Sequence, residues 1–310
     1  MVEVLLRTVI PLFLLIGAGF LSRKVGILKA GDERVLNAYI YFFALPALLF
    51  VNMVETEFFG DTFTFILAGM TPIFVVLAIY LVLFLLFRFP KDTLYLLILS
   101  TIFGNVAFFG IPFIMFAFPI ALAERLAVLS VVSIAIVSVT ISITVLELRE
   151  HEGGSRWDGL KHVGKRLSKN PLILSIFFGI LLSLVGVEIP APVSTFLHML
   201  GGSTTAVAIF MLGVFLYGRK YTDKGKAFGL SLLRLILLPV IASLAISLFG
   251  LPGIEMPVLV LMHSMPVAVS MIVLSERYNF HKELIASLIL ISTIGAIVSL
   301  NVWLLLLGYY

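Results

Sequence analysis

The sequence predicts an all-α polytopic membrane protein of ten transmembrane helices, arranged as a 5+5 inverted repeat with two broken crossover helices, the fourth and ninth spans. Three observations carry this. Hydrophobic residues make up 61% of the 310 and charged residues only 12%, about half the charge of an ordinary soluble chain. The apolar runs recur at close to 20 residues, the length that crosses roughly 30 Å of hydrocarbon. Basic residues gather in alternate loops, the signature of a chain that weaves through a bilayer.

Spans fit at about 4–22, 35–54, 62–87, 92–118, 126–147, 171–187, 201–218, 227–249, 256–275 and 283–307. Val4 to Ser22 ends in small residues, as a signal peptide does, but Glu3 spoils the basic leader and a short basic loop leads into another span. It therefore reads as retained. Of the 21 Lys and Arg residues, 18 fall in one set of loops: Arg23 to Arg34, Arg88 and Lys91, Arg149 to Lys169, Arg219 to Lys226, and Arg277 with Lys282. The opposite loops hold Arg125 beside Glu55, Glu57, Asp61, Glu124, Glu188 and Glu255, while Arg7 and Arg234 sit inside or at the edge of spans. Both termini are thus expected outside a cytoplasmic membrane, with the 148–170 loop in the cytoplasm.

That loop divides the chain into a first repeat (1–150), a linker (151–170) and a second repeat (171–310). Five spans is an odd number, so the second half must enter the membrane upside down. Pro11-Leu12 echoes Pro171-Leu172, and Ile111-Pro112 echoes Met265-Pro266.

Phe103 to Phe113 reads FGNVAFFGIPF. Asn105 is polar at depth, Gly104 and Gly110 weaken the helix, and Pro112 removes a backbone donor. Each unpaired backbone group in hydrocarbon costs several kcal/mol, so such a stretch belongs inside protein or beside a watery cavity. Leu261 to Ser270 (LMHSMPVAVS) is a second interruption. Counted at about 1.5 Å per residue, both lie near the midplane, Pro266 roughly 15 Å deep. Paired interruptions of this kind point to a transporter's substrate site.

Proline suits the first turn of a helix, so Pro112 and Pro266 are each expected to open a half-helix whose N-terminus attracts an anion. Gly104, Asn105, Gly110, Ile111, Pro112, His263, Ser264, Met265, Pro266 and Ser270 form the candidate substrate site. Pro46, mid-span in the second helix near Asn37 and Asn52, is added as a further wall. His263 reads equally as a proton carrier and as a neutral hydrogen-bonding residue between helices. Arg234 is expected to snorkel to the interface, with a substrate or core-pairing role as the lesser alternative. Ser130, Ser133, Ser138, Ser142, Ser292, Thr293 and Ser299 are assigned to packing.

Absences narrow the chemistry. There is no cysteine, which removes disulfides and thiolate chemistry. No Asp or Glu lies mid-span, as a cation antiporter or proton pump would need. The histidines are scattered without ligand spacing, so no metal or other cofactor is expected. No nucleotide fingerprint or nucleophile–base pair suggests an enzyme, and the +4 net charge follows from loop topology rather than nucleic-acid binding.

The carriers of a family resemblance are Val9-Ile10-Pro11-Leu12-Phe13, Ala44-Leu45-Pro46-Ala47-Leu48, Gly104-Asn105 with Phe109-Gly110-Ile111-Pro112, Arg234-Leu235 with Leu238-Pro239, Ser264-Met265-Pro266-Val267-Ala268, and Ser275-Glu276-Arg277-Tyr278. In this order and spacing the chain resembles the auxin efflux carrier family, which includes plant PIN proteins and many prokaryotic permeases. The resemblance implies external termini, a scaffold domain of spans 1, 2, 6 and 7, a transport domain of spans 3–5 and 8–10, and an elevator-type movement between them. It also implies a homodimer that moves small organic anions, with malate or malonate the usual label of prokaryotic members. The expected function is therefore secondary transport of a small organic anion, a malate-like or auxin-like carboxylate, with proton or sodium coupling both open. The alternatives are a sodium-coupled symporter resembling the bile-acid carriers and a membrane sensor that binds its ligand without moving it.

Overall fold

A helix closes its backbone hydrogen bonds within itself, which is what hydrocarbon demands of a spanning segment. In the computed structural model of this chain every regular element among the described residues is helical. The structure describes residues 10–56, 60–150, 164–165 and 168–309. Glu3, Val4, Arg7, Val9 and Glu57, named above, lie outside these, as do Arg156, Lys161 and Arg166 of the basic run from Arg149 to Lys169.

The elements are α1 (Ile10–Lys24), α2 (Asp32–Val54), α3 (Gly60–Phe87), α4 (Lys91–Ile102), α5 (Val106–Ala117) and α6 (Ala121–Glu150). Then follow α7 (Pro171–Val185), α8 (Ala191–Leu216), α9 (Lys224–Ser247), α10 (Glu255–His263), α11 (Met271–Arg277) and α12 (Lys282–Leu306). Six of them, α2, α3, α6, α8, α9 and α12, are long and apolar enough to cross a membrane, and α5 and α7 are shorter apolar helices. Large apolar side chains such as Leu14, Phe63, Phe87, Leu184, Met199 and Leu248 point outward and exposed. Water would penalise such a surface and lipid does not.

Local chemistry sets the ends. Asn170 caps α7 by accepting from the Leu172 N–H at 2.9 Å, Pro171 fills the first turn, and Gly186 closes the helix in the left-handed region at φ 71°. Three prolines within helices are handled differently. Wide π turns at Ile40–Ala44, Val106–Gly110 and Leu233–Leu237 each end two residues before a proline, Pro46, Pro112 or Pro239. A proline lacks the N–H and its ring collides with the carbonyl four residues back, so widening the preceding turn relieves both problems. On α9 the Leu235 carbonyl, four residues before Pro239, instead receives the Trp303 indole N–H of α12 at 3.0 Å.

Packing gathers α1, α2, α7 and α8 into one group, with α1 against α8 and α2 against both α7 and α8. In the other group α9 packs on α3, α10 and α12. The groups meet where α8 lies along Val106–Gly110 and where Leu45–Val54 meets Ala121–Ser130. Loops expected on one side also touch: Arg149 pairs with Asp92 at 2.9 Å and Lys220 with Glu283 at 3.1 Å, while Glu55 pairs with His198 at 2.9 Å among the opposite set.

Glycine decides how close α1 and α8 come. A Cβ on Gly213 would fall 1.9 Å from the Ile16 carbonyl oxygen, and one on Gly19 would fall 2.0 Å from that of Phe210. Gly213→Val is therefore expected to destabilise the detergent-solubilised protein by about 2 kcal/mol, read as a lower melting temperature. Gly202→Val, at a position with nothing within 4 Å, should leave it nearly unchanged.

Candidate functional site

The two interruptions meet and pair their backbones. Gly104 and Val267 form an isolated antiparallel bridge. The Asn105 N–H donates to the Pro266 carbonyl at 2.8 Å, and the Ala268 N–H donates to the Phe103 carbonyl at 3.0 Å. Ser292 Oγ of α12 accepts from the Val267 N–H at 3.1 Å, so this serine supports the broken backbone, beyond the packing expected of it.

Arg234 completes the crossing. The guanidinium is fully buried, with Nε donating to the Met265 carbonyl at 2.7 Å and Nη1 to those of Thr101 at 2.8 Å and Ile102 at 3.3 Å. These oxygens lie at the last turn of α4 and just past the end of α10, where a helix leaves carbonyls unpaired and a partial negative charge. This overturns the snorkelling expectation: the side chain reaches inward because the interrupted helices offer it acceptors at depth. Gly104 makes room for it, since a Cβ there would fall 1.6 Å from Arg234 Nη2.

The prolines do not open the half-helices. Helix resumes at Val106, before Pro112, and at Met271, after Pro266. Asn105 occupies the cap position of α5 with no side-chain cap bond, its carbonyl accepting from the Phe109 and Gly110 N–H groups at 3.1 and 2.9 Å. Pro112 sits one wide turn inside α5, and Pro266 uses its carbonyl to bind Asn105. The physical reason is that residues 103–105 and 266–268 pair with each other before either can enter a helix.

Beside the crossing lies a cavity of about 400 Å³, within the range of small-ligand sites. It is walled by α2 (Asn37, Tyr41), the crossing (Gly104, Asn105), the start of α5 (Val106 to Phe108), α6 (Ser138), the approach to α7 (Asn170) and α11 with its cap residue Ser270. It therefore lies between the two helix groups. The first N–H groups of a helix have no intrahelical acceptor, and those of α5 belong to cavity-lining residues. Ser138 Oγ is buried in the same wall with no hydrogen-bond partner.

Of the residues proposed from sequence, Gly104, Asn105 and Ser270 line this cavity. Gly110, Ile111, Pro112, Met265 and Pro266 stand behind it; a Cβ on Gly110 would meet Met262 Sδ at 2.7 Å. His263 is buried against α3, its Nε2 donating to the Gly69 carbonyl at 2.9 Å, and Ser264 Oγ donates to the Val260 carbonyl at 2.8 Å. Pro46 lies in a separate outer groove with Phe43, Phe50 and Phe178. Sequence reasoning sent Arg234 to the interface ahead of a substrate or core-pairing role, gave Ser138 to packing, and did not single out Tyr41 or Asn170. An arginine inside an apolar run was itself a usable signal, since intramembrane charge is functional by default.

The sequence matches the model of the family described as membrane transport protein over residues 4–304, and the chain belongs to that family. An uncharacterised transporter from Methanocaldococcus jannaschii is 26% identical over 305 residues, covering 95% of this chain and 96% of the relative. A putative malonate transporter from Rhizobium meliloti is 26% identical over 302 residues, covering 94% and 92%. Auxin efflux carrier component 6 of Arabidopsis thaliana is 29% identical over 155 residues, covering 46% and 26%.

Arg234→Met would strand three buried carbonyls, at about 1–3 kcal/mol each. The expected result is a melting temperature far below wild type, with Arg234→Lys intermediate because an ammonium lacks the planar fork. Gly104→Ala should fall in the same direction by displacing the guanidinium.

Proposed function

We propose that this membrane transporter is a secondary carrier of small organic anions, malate-like or auxin-like carboxylates, binding between the crossing and α2. The observation that carries the reading is the electrostatic asymmetry of the crossing. Arg234 occupies the negative ends of α4 and α10, while the positive end of α5 and the Asn105 amide face the cavity. A carboxylate there meets unpaired N–H donors and a nearby fixed cation in a low-dielectric wall, where such terms are strongest. α11 has only seven residues, so its dipole adds little. The name of the Rhizobium relative fits this substrate class.

Movement is proposed as elevator-type exchange between a scaffold of α1, α2, α7 and α8 and a transport unit of the remaining helices. A cavity walled by both groups is what such a motion needs, since sliding one group past the other re-exposes the ligand. The full arrangement proposed is ten spans in two inverted five-span repeats, dimeric in a cytoplasmic membrane with external termini. Two packing pairs support the inversion: α1 on α8 and α7 on α2 interchange when the repeats are exchanged.

Proteoliposome flux tests the carrier. Among labelled malonate, malate and indole-3-acetate, one at least should be transported, and Asn105→Ala should lower its rate about tenfold, the equivalent of one charge-assisted hydrogen bond. Wild-type rates at the level of empty liposomes for all three would refute the substrate class. Because the chain has no cysteine, single replacements report sidedness directly. Lys220→Cys should react with an impermeant maleimide only from the cytoplasm, and Glu188→Cys only from outside.

A further inference from the structure

A second concavity, of about 640 Å³, adjoins the cavity. Asn37, Ser270 and Val273 belong to the walls of both, so the two spaces adjoin at these side chains. The second chamber is formed by the end of α1, the turn into α2, the end of α8 and the break before α11. Its charged lining residues are Arg23, Arg34, Arg219 and Glu33. Glu33 lies 3.6 Å from Arg219, so one carboxylate faces three guanidiniums. Arg23 is held over the Tyr217 ring at 6.0 Å, and its Nε is shut away from solvent without a hydrogen-bond partner. Topological sorting of charge would be satisfied by arginines pointing anywhere into water on this face. Three that line one concavity leading to the crossing do something more.

We infer that this vestibule is a second, weaker anion site, which captures a carboxylate on Arg23 and Arg34 and passes it by Asn37 and Ser270 to the crossing. The inference rests on the organic-anion reading but concerns different residues. A concave, like-charged lining raises the local concentration of the opposite ion and speeds its arrival, an effect that falls with ionic strength. The vestibule therefore governs capture at low concentration, whereas the crossing governs translocation. Glu33 tempers the site: by neutralising one arginine it keeps the anion from binding too tightly to move on.

The test is calorimetric titration of malonate into the detergent-solubilised full chain at about 20 and about 300 mM potassium chloride, paired with malonate flux. Wild type should show two classes of site, the weaker one vanishing at high salt. Arg34→Gln, and Arg23→Gln with Arg34→Gln, should weaken or abolish the weak class. They should also raise the low-salt KM about fivefold or more, with little change in kcat, and the lysine replacements should restore both. Glu33→Gln should tighten the weak class, an effect that a structural role for these residues does not predict. Asn105→Ala should spare the weak class while losing the strong one. Equal titrations for wild type and the Arg23/Arg34 variants, or no salt-sensitive class in wild type, would overturn the vestibule. Loss of the weak class in wild type on adding phosphatidylglycerol would overturn it too, assigning the arginines to lipid phosphate. A weak class without malonate flux would instead count against the carrier reading and leave the vestibule standing.

Discussion

Backbone polar groups left unpaired in hydrocarbon are too costly to keep, and the crossing exists only because that requirement is met there. Two helices stop at the crossing, and each stop exposes carbonyls on one side and N–H groups on the other. The strands between them satisfy part of this by bonding to each other, Asn105 to Pro266 and Ala268 to Phe103. Arg234 satisfies the carbonyls of Thr101, Ile102 and Met265 with one planar group. A guanidinium is suited to this because it presents several donors in fixed directions and stays charged when buried.

The same arrangement sorts charge. A cation at the C-terminal ends of α4 and α10 consumes their negative potential, so the remaining helix-end field at the cavity comes from the N-terminus of α5. Structural repair and the positive helix-end field at the cavity thus have one source. The arginine that holds the broken helices together also removes the field that would repel a carboxylate. Gly104 belongs to this device, since any side chain there would occupy the space of the guanidinium.

Proline plays a quieter part than the half-helix idea assigned to it. Pro46, Pro112 and Pro239 each follow a π turn, which lets the helix run on without the missing donor and without a clash. Near Pro239 the indole of Trp303 takes the Leu235 carbonyl. Helices on both sides of the cavity, α2 and α5, therefore carry widened turns beside it. Such turns are frequent at functional positions because they give a helix local freedom without breaking it.

Composition, span length and loop charge made the all-helical membrane character legible, because each reflects a one-dimensional requirement: enough apolar residues in a row, and basic residues held on one side. The interruption at Gly104-Asn105 was legible for the same reason, as a polar, glycine-containing break where nothing local favoured one. What the linear order did not contain was partnership. Whether Arg234 reaches to the membrane surface or to depth depends on carbonyls 31 to 133 residues away in sequence, and Ser138 and Ser142 look alike until one faces a cavity and the other its own helix. Pro112 and Pro266 satisfied the rule for helix starts, yet the pairing of residues 103–105 with 266–268 set those starts elsewhere. Local chemistry determined that this chain must break its helices in hydrocarbon; only the tertiary structure decided which groups pair across the breaks, because hydrogen bonds are satisfied in space and not along the chain.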